Sequence, residues 1–265
     1  MNLADFHDNE QNRFISRVRG ALGYPQSNKR NRKGLVFGEK FDKAGEYLEK
    51  VKIRTDGERR ELLNTLIEAG KPINLHVIPK EDSESVATAI ADLVQRKNPE
   101  WGNQKSVVAW KHPLIEGLNL AKALEEQNIP VYYTELGNTG ANAKSVMHRR
   151  KQIRNRVIES YIGVTSADFC MADTATLVMK TRPGQARSVS LLPSIHIAVI
   201  EMKRIIANLR ELYNLLKYDS EEKEEGLTNC MTFISGPSKT ADIEGVMVQG
   251  AHGPREVFLY VITSR

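Results

Sequence analysis

Between residues 58 and 165 the chain alternates segments of helical periodicity with short apolar runs. The first segment, residues 58–69, carries its apolar side chains on one helical face and stops before Gly70, a residue type that commonly ends helices. Three further helical segments follow: one covers residues 83–95, one begins at residue 113 and one covers residues 143–160. The strand-like runs between them are residues 73–78, 106–110, 131–134 and 161–165. Such alternation is typical of βαβ units, so we expect an α/β fold with a mainly parallel sheet flanked by helices.

The pattern changes after residue 160. Strand-like runs continue at residues 174–180, 194–200, 231–234 and 257–262, but only one helical segment separates them. That segment, residues 202–217, has a continuous apolar face, which predicts one long amphipathic helix. Residues 219–226 are dominated by acidic side chains, and this density of charge predicts a surface loop.

The positive charge of the chain is concentrated at its start. The net charge is +5 at pH 7, and the whole excess lies within the first sixty residues. Apolar residues recur at helical spacing within residues 14–22, and four basic residues follow at positions 29–33. We therefore expect an N-terminal helical arm and basic linker over residues 1–57, and one larger domain over residues 58–265.

A second basic stretch, residues 144–156, contains no acid. Its cations are Lys144, Arg149, Arg150, Lys151, Arg154 and Arg156. Neither basic stretch is interleaved with aromatic residues, and the chain has no helix-turn-helix or zinc-finger pattern. A solvated helix face or an interface with an acidic partner is therefore favoured over nucleic-acid binding.

The chain has only two cysteines, Cys170 and Cys230, and no CxxC spacing. Because iron–sulfur clusters usually take four thiolates, and because zinc-finger, Walker A and dinucleotide-binding motifs are missing, we expect no cofactor bound by this chain. The longest apolar run is broken by polar residues, and the first residues carry acids without an apolar core. We therefore expect no membrane span and a cytoplasmic location.

Small and hydroxyl-bearing residues are concentrated in three stretches, at residues 163–176, 187–196 and 235–254. Each stretch adjoins a predicted strand, and ligands in open parallel sheets lie beyond the carboxyl ends of the strands. We therefore expect the three stretches to converge on one site. The third stretch is predicted to lead into a helix, where it either binds an anion or caps the helix through Ser238 or Thr240, with Asp242 in the first turn.

Five motifs within these stretches, taken in order, resemble the lactate utilization protein C family of LUD domain proteins. They are GVTSADF (residues 163–169), ADTATLV (172–178), LLPSIHI (191–197), SGPSKTADIE (235–244) and HGP (252–254). The resemblance extends from near residue 60 to the C-terminus and implies a ribose-5-phosphate isomerase/CoA-transferase-like fold. It also implies a role in bacterial oxidation of L-lactate to pyruvate, with the iron–sulfur clusters carried by two partner proteins.

Three positions depart from the family pattern. Ser166 and Ala175 stand where the family has glycine, and Asp173 stands where it has glutamate. Alanine disfavours positive φ angles and hinders close backbone approach to a ligand, so Ala175 changes the turn that would hold a ligand. Asp173 keeps the charge of glutamate but has one methylene less.

Asp173 and His252 are the catalytic candidates. His252 lies between Gly250 and Gly253 in a predicted tight turn, where a ligand or acid–base role is a realistic alternative to packing. The ligand-binding candidates are Thr165, Thr174, Thr176, His196, Ser235, Gly236, Ser238, Asp242 and Gly253.

Two groups of candidates also have structural interpretations. Thr174 and Thr176 alternate with apolar residues, so packing in a half-buried strand and ligand contact are both open. His196 lies in an apolar strand, which favours a buried, hydrogen-bonded core histidine over a histidine in a binding site.

The resulting hypothesis is a substrate-binding or accessory subunit that binds a small carboxylate while iron–sulfur partner subunits carry the electrons. The alternative is a stand-alone enzyme acting on a sugar phosphate or an acyl-CoA, with Asp173 as the carboxylate and His252 as acid or base. That alternative depends on fold analogy, which alone is weak support for a function.

Overall fold

The computed structural model describes residues 44–100, 104–137, 143–226, 228, 230–243 and 246–264, together with residues 13, 16–18, 20 and 21. Residues 1–44 and residues 45–265 form two separate units, and the architecture below is that of the second. The basic positions 29–33 lie outside the described residues, whereas residues 16–18, 20 and 21 of the predicted N-terminal helix are described and are helical. The division of the chain near residue 57 stays a prediction.

Helices alternate with single strands as far as β4, and after it several strands follow one another directly. The helices are α1 Ala44–Lys52, α2 Asp56–Gly70, α3 Ser83–Arg96, α4 Pro113–Gly117, α5 Leu120–Ala123, α6 Ala143–Glu159, α7 Ser188–Leu191, α8 Leu209–Tyr218 and α9 Ser220–Glu225. The strands are β1 Leu75–Lys80, β2 Val107–Ala109, β3 Val131–Tyr133, β4 Ile162–Ser166, β5 Phe169–Met171, β6 Thr176–Lys180, β7 Ile195–Glu201, β8 Ile205–Ile206, β9 Met231–Ile234, β10 Lys239–Ile243, β11 Val246–Gln249 and β12 Glu256–Ile262.

The central sheet has six strands in the order β1-β12-β7-β4-β2-β3, and every neighbouring pair is parallel. Its middle strands are buried on both faces, as their near-continuous runs of apolar residues require in a parallel sheet. This confirms the predicted α/β class with a mainly parallel sheet flanked by helices.

Alternation along β4 separates the two faces of this sheet. Ile162 and Val164 join the apolar cluster beneath α3, α4 and α5, whereas Gly163 and Thr165 point to the opposite face. That opposite face is covered by α2, α6, α7 and a second sheet of strands β8-β5-β6-β9. Gly163 is required here, because a Cβ atom at this position would collide with the Val189 carbonyl oxygen of α7.

The predicted long helix over residues 202–217 is wrong in its first half. Residues Met202–Arg204 form a 3-10 turn, and Ile205–Ile206 form strand β8, which pairs with β5. Helix α8 starts only after Asn208, whose side chain accepts hydrogen bonds from the backbone of Arg210 and Glu211. The two isoleucines pair with a distant strand, and apolar spacing alone does not distinguish that arrangement from helix.

The predicted surface loop at residues 219–226 is also wrong. Its acids form helix α9, which places Glu222 and Glu225 against Lys180, a lysine whose side chain is 1% exposed. Burial lowers the pKa of Lys180, but its hydrogen bonds to these two carboxylates outweigh that effect, and its pKa is raised. The acids therefore neutralise a cation inside the fold instead of facing only water.

Candidate functional site

Thr165 and His196 form a buried polar pair on neighbouring strands. Thr165 Oγ1 lies 2.8 Å from His196 Nε2, and both residues are fully buried. In the register of β4 and β7, His196 lies opposite Gly163, so its ring extends along the sheet toward Thr165 on the same face. This is the buried core histidine that the sequence favours.

The His196 imidazole is neutral. Burial lowers its pKa to about 3, because the charged form would be desolvated. Its Nδ1 atom is buried and has no hydrogen-bond partner among the described residues. A buried nitrogen without a hydrogen-bond partner is uncommon. Because the ring is neutral, burying it costs less free energy than burying a charged imidazolium would.

Three hydroxyl groups from two of the predicted stretches meet beside the second sheet. Thr176 Oγ1 lies 2.7 Å from Ser235 Oγ and 2.9 Å from Thr174 Oγ1. The predicted strand at residues 174–180 begins only at Thr176, because Asp173 and Thr174 lie in the exposed turn between β5 and β6. In that turn Ala175 is fully buried and has a φ angle of 45°, a conformation that favours glycine.

The third stretch forms a hairpin rather than a helix. Strands β10 and β11 pair antiparallel, so the predicted helix after Thr240 and its capping by Ser238 or Thr240 are wrong. Asp242 lies in β10, and its side chain is outside the described part of the structure. Gly236 has a φ angle of 75° and leaves no room for a Cβ atom against the Ile73 carbonyl oxygen.

His252 lies at a cavity of about 550 Å³. The turn that carries it is held to the hairpin, since the Ser238 amide donates to the Pro254 carbonyl at 2.9 Å and the His252 amide donates to Ser238 Oγ at 3.3 Å. Gly253 lines the same cavity, and the His252 ring is exposed. Tyr161 also lines the cavity; its hydroxyl donates to the Val94 carbonyl at 2.7 Å, and burial raises its pKa so that the phenol stays protonated.

The cavity lies at the opposite edge of the sheet from the one predicted. Ser160 and Tyr161 precede β4, Ser194 precedes β7 and Arg255 precedes β12, so the cavity lies at the amino ends of these parallel strands. The three stretches therefore do not converge beyond the carboxyl ends. A loop that precedes a parallel strand lies at the amino edge of the sheet, and a loop that follows it lies at the carboxyl edge. Here the polar loops precede β7 and β12, so they lie at the amino edge.

Of the predicted site residues with described side chains, only His252 and Gly253 line this cavity. Asp173 is exposed in the β5–β6 turn, where its amide donates to the Ala207 carbonyl at 3.1 Å. The two catalytic candidates are therefore not brought together in one cavity. Their assignment as catalytic residues stays a prediction.

Sequence reasoning missed the three charged residues of the cavity, Glu100, Glu159 and Arg255. Arg255 Nη2 lies 2.6 Å from Glu100 Oε1, and Ser194 Oγ donates to Glu100 Oε2 at 3.1 Å. Arg255 directly follows the HGP motif, which was the available signal for its position. Glu100 comes from a distant part of the chain, and no motif marks it.

Two general features of the described residues bear on the expectations about membranes and metals. No helix there is both long and apolar enough to cross a bilayer. Within the same residues, no three His, Cys, Asp or Glu side chains are grouped as they would be around a metal ion. The thiol of Cys170 is fully buried, which raises its pKa, and Cys230 is partly buried.

The chain matches the LUD domain over residues 63–262. It is similar to Lactate utilization protein C of Anoxybacillus flavithermus, with 34% identity over 69% of this chain and 74% of the relative. It is also similar to Lactate utilization protein C of Halalkalibacterium halodurans, with 29% identity over 61% of this chain and 64% of the relative. Lactate utilization protein B of Bacillus subtilis is 26% identical over 64% of this chain and 43% of its own length.

The relatives are matched over different shares of their length, but all of them are lactate utilization proteins. The chain spans less than two thirds of the Halalkalibacterium halodurans relative, and 74% of the one from Anoxybacillus flavithermus. The matched domain includes all six strands of the central sheet and the five motifs quoted above. The chain belongs to the LUD domain family, which includes Lactate utilization protein C.

Proposed function

We propose that this protein is a substrate-binding or accessory subunit of an L-lactate utilization system, in which iron–sulfur partner subunits oxidise L-lactate to pyruvate in the cytoplasm. The names of its relatives support the pathway. The cavity that contains His252 supports the binding role, because it combines an exposed imidazole with the Arg255 guanidinium, of which one nitrogen pairs with Glu100 and the others remain as donors. These groups can donate hydrogen bonds to the carboxylate and hydroxyl of a 2-hydroxy acid.

The arrangement of hydroxyl groups favours a binding role over catalysis by this chain alone. Nucleophilic catalysis needs a hydroxyl or thiol activated by an adjacent base. Thr176 and Ser235 bond to one another, and the Thr165 hydroxyl meets a neutral, enclosed His196. His252, by contrast, contacts Ser238 through its backbone amide, leaving its ring exposed to a ligand.

The cysteines support placing electron transfer on partner subunits. Oxidation of lactate to pyruvate removes two electrons, and a cluster to receive them usually takes four thiolates. This chain has two cysteines, and burial raises the pKa of the Cys170 thiol, so it is a poor thiolate donor.

The alternative of a stand-alone enzyme for sugar phosphates or acyl-CoA has less support. It requires Asp173 and His252 to act on one substrate, and the cavity that His252 lines does not include Asp173. No observation of the site favours it.

The proposal is tested by genetics and by co-purification from a source that carries this chain. Deletion is expected to abolish growth on L-lactate and to leave growth on pyruvate unchanged. The tagged chain is expected to recover proteins that contain iron and acid-labile sulfide. Normal growth of the deletion strain on L-lactate, or recovery of the chain free of iron during such growth, would overturn the proposal.

Two histidine variants test whether the cavity, rather than another part of the surface, is needed for growth on L-lactate. His252→Asn is expected to fail to restore growth of the deletion strain on L-lactate, because it removes the titratable ring from the cavity. His148→Asn alters an exposed histidine on α6 outside the cavity and is expected to restore growth. Restoration by both variants would remove His252 from the proposed role.

A further inference from the structure

A second cavity, of about 280 Å³, lies between α6 and the chain segment 182–188. It is separate from the turn that carries His252, and Thr134 and Leu136, which follow β3, form one end of it. It therefore lies beside the carboxyl end of a parallel strand, which is where ligands bind in open α/β sheets. Its volume is just below the usual range for sites that bind drug-sized molecules, so it fits a small ligand.

One wall of this cavity is fixed by hydrogen bonds to the central sheet. Trp110 Nε1 donates to the Ala186 carbonyl at 2.9 Å, and Thr134 Oγ1 donates to the Gly184 carbonyl at 2.6 Å. The amide of Lys111 donates to the same Gly184 carbonyl at 3.0 Å. The segment is thus attached to the ends of β2 and β3, and the wall exists before a ligand binds.

The other wall is one face of α6. Arg150, Ile153, Arg154 and Val157 line the cavity, and their spacing of three, four and seven residues places them on one side of the helix. This face combines two guanidinium groups with two apolar side chains. A ligand that fits it needs both a negative charge and a hydrocarbon part.

The charge of the cavity is not balanced within the described structure. Arg182 also lines it, but Arg182 pairs with Asp168 at 2.6 Å and with Glu225. Among the residues that the structure describes, neither Arg150 nor Arg154 has an ion-pair partner and no acid lines the cavity. Two like charges at positions i and i+4 of a helix are unfavourable, so a bound anion would remove a repulsion as well as form new bonds.

We propose that this cavity binds a small organic carboxylate with a hydrocarbon part larger than that of lactate. Arg150 and Arg154 hold the carboxylate, since the guanidinium fork matches a carboxylate in two-point contact. Leu136 and Leu192 are 37% and 57% exposed, and they cover the hydrocarbon. This site is additional to the proposed lactate role.

The test measures binding to the purified full-length chain by titration calorimetry. The probes are hexanoate, the uncharged hexanamide, inorganic phosphate and L-lactate. Hexanoate is expected to bind at least about tenfold more tightly than each of the others, because hexanamide lacks the charge and the other two lack the hydrocarbon.

Matched double variants test the location. Arg150→Gln with Arg154→Gln is expected to weaken hexanoate binding by about tenfold or more, through loss of charge-assisted hydrogen bonds. Arg149→Gln with Lys151→Gln removes the same charge from positions of α6 that do not line the cavity, and it is expected to change binding by no more than about twofold. Leu136→Ser keeps every arginine and is expected to weaken hexanoate but not phosphate, which keeps the test valid if the first double variant unfolds.

Several results would overturn the inference. Absence of hexanoate binding would do so, as would equal weakening by the two double variants. Phosphate or L-lactate binding as tight as hexanoate binding would remove the role of the hydrocarbon wall. Because these measurements use only the purified chain, the inference can fail while the proposed lactate role stands, and the growth experiment can fail while this site stands.

Discussion

Thr165 and His196 meet across strands β4 and β7, with Thr165 Oγ1 2.8 Å from His196 Nε2 and both side chains fully buried. The pair joins two residues of family motifs that are separated in the sequence. It belongs to the interior beneath α7, away from the open cavity at His252. Its contribution is therefore expected to be to stability rather than to ligand contact.

Replacing His196 by glutamine should make the free energy of unfolding less dependent on pH below pH 6.5. The folded-state pKa of His196 is lowered to about 3, whereas the unfolded chain titrates near the ordinary value of 6.5. The unfolded state therefore binds the proton first, so stability is complete above pH 6.5 and falls as the pH drops below it, by up to about 1.4 kcal/mol per pH unit. Urea unfolding of both proteins between pH 7.5 and 5 measures the difference in slope.

The matched control is His252→Gln, which alters an exposed histidine. It keeps the His196 imidazole, so it should retain the steep loss of stability at acid pH that His196→Gln is expected to lose. Equal slopes for the unchanged protein and for His196→Gln would contradict a neutral buried imidazole.

Lys180→Ala should be strongly destabilising. The lysine side chain is 1% exposed and pairs with Glu222 and with Glu225, the latter at 2.7 Å. Removing one member of a buried ion pair leaves an uncompensated charge, which costs roughly 3–5 kcal/mol. Lys203→Ala removes a pair with Glu201 in which the lysine is 58% exposed, and it should cost at most about 1 kcal/mol. Chemical denaturation measures both, and similar losses would mean that α9 does not neutralise a buried cation.

Ala175→Gly and Ala172→Gly should differ although both alanines are fully buried. Each change removes a methyl group and increases the freedom of the unfolded chain, which together cost about 1–2 kcal/mol. Ala175 has a φ angle of 45°, and glycine adopts this angle without strain, so the change at position 175 also regains about 1 kcal/mol of stability. Ala172 is not among the residues with positive φ, so its replacement regains nothing in this way. Ala175→Gly should therefore unfold at higher urea concentration than Ala172→Gly, and the reverse order would contradict strain at the turn.

Gly163→Ala should displace helix α7. The new methyl group would overlap the Val189 carbonyl oxygen, which is backbone and cannot rotate away. A loss of several kcal/mol is expected, in the range of other overpacked core positions or above it. Gly117→Ala is the control, because nothing lies within 4 Å of its added methyl, and it should be neutral or slightly stabilising. Thermal midpoints that shift equally would argue against close contact between α7 and β4.

The sequence predicts the first half of the domain well, because local periodicity and sheet burial agree there. The apolar runs near residues 75–80 and 162–166 are strands buried in a parallel sheet, and α6 follows its predicted extent closely. The segment after Pro113 is broken into two short helices because Asn119 adopts a left-handed conformation, which periodicity does not reveal.

The second half depends on contacts between distant residues. Ile205 and Ile206 become strand through pairing with β5, and the acidic α9 forms where Lys180 and Arg182 compensate its charge. The motifs identified the hydroxyl cluster and His252, but their position relative to the sheet required the strand directions. Glu100 belongs to no motif, and the sequence marks Arg150 only as one cation of the basic stretch 144–156; the cavity that each residue lines forms only in the fold.

Leu192 lines both the cavity at His252 and the cavity at Arg150. A ligand that moves this exposed side chain in one cavity would therefore change the shape of the other cavity. Thermodynamic linkage makes any such effect reciprocal, so that occupancy of either cavity changes the affinity of the other by the same factor.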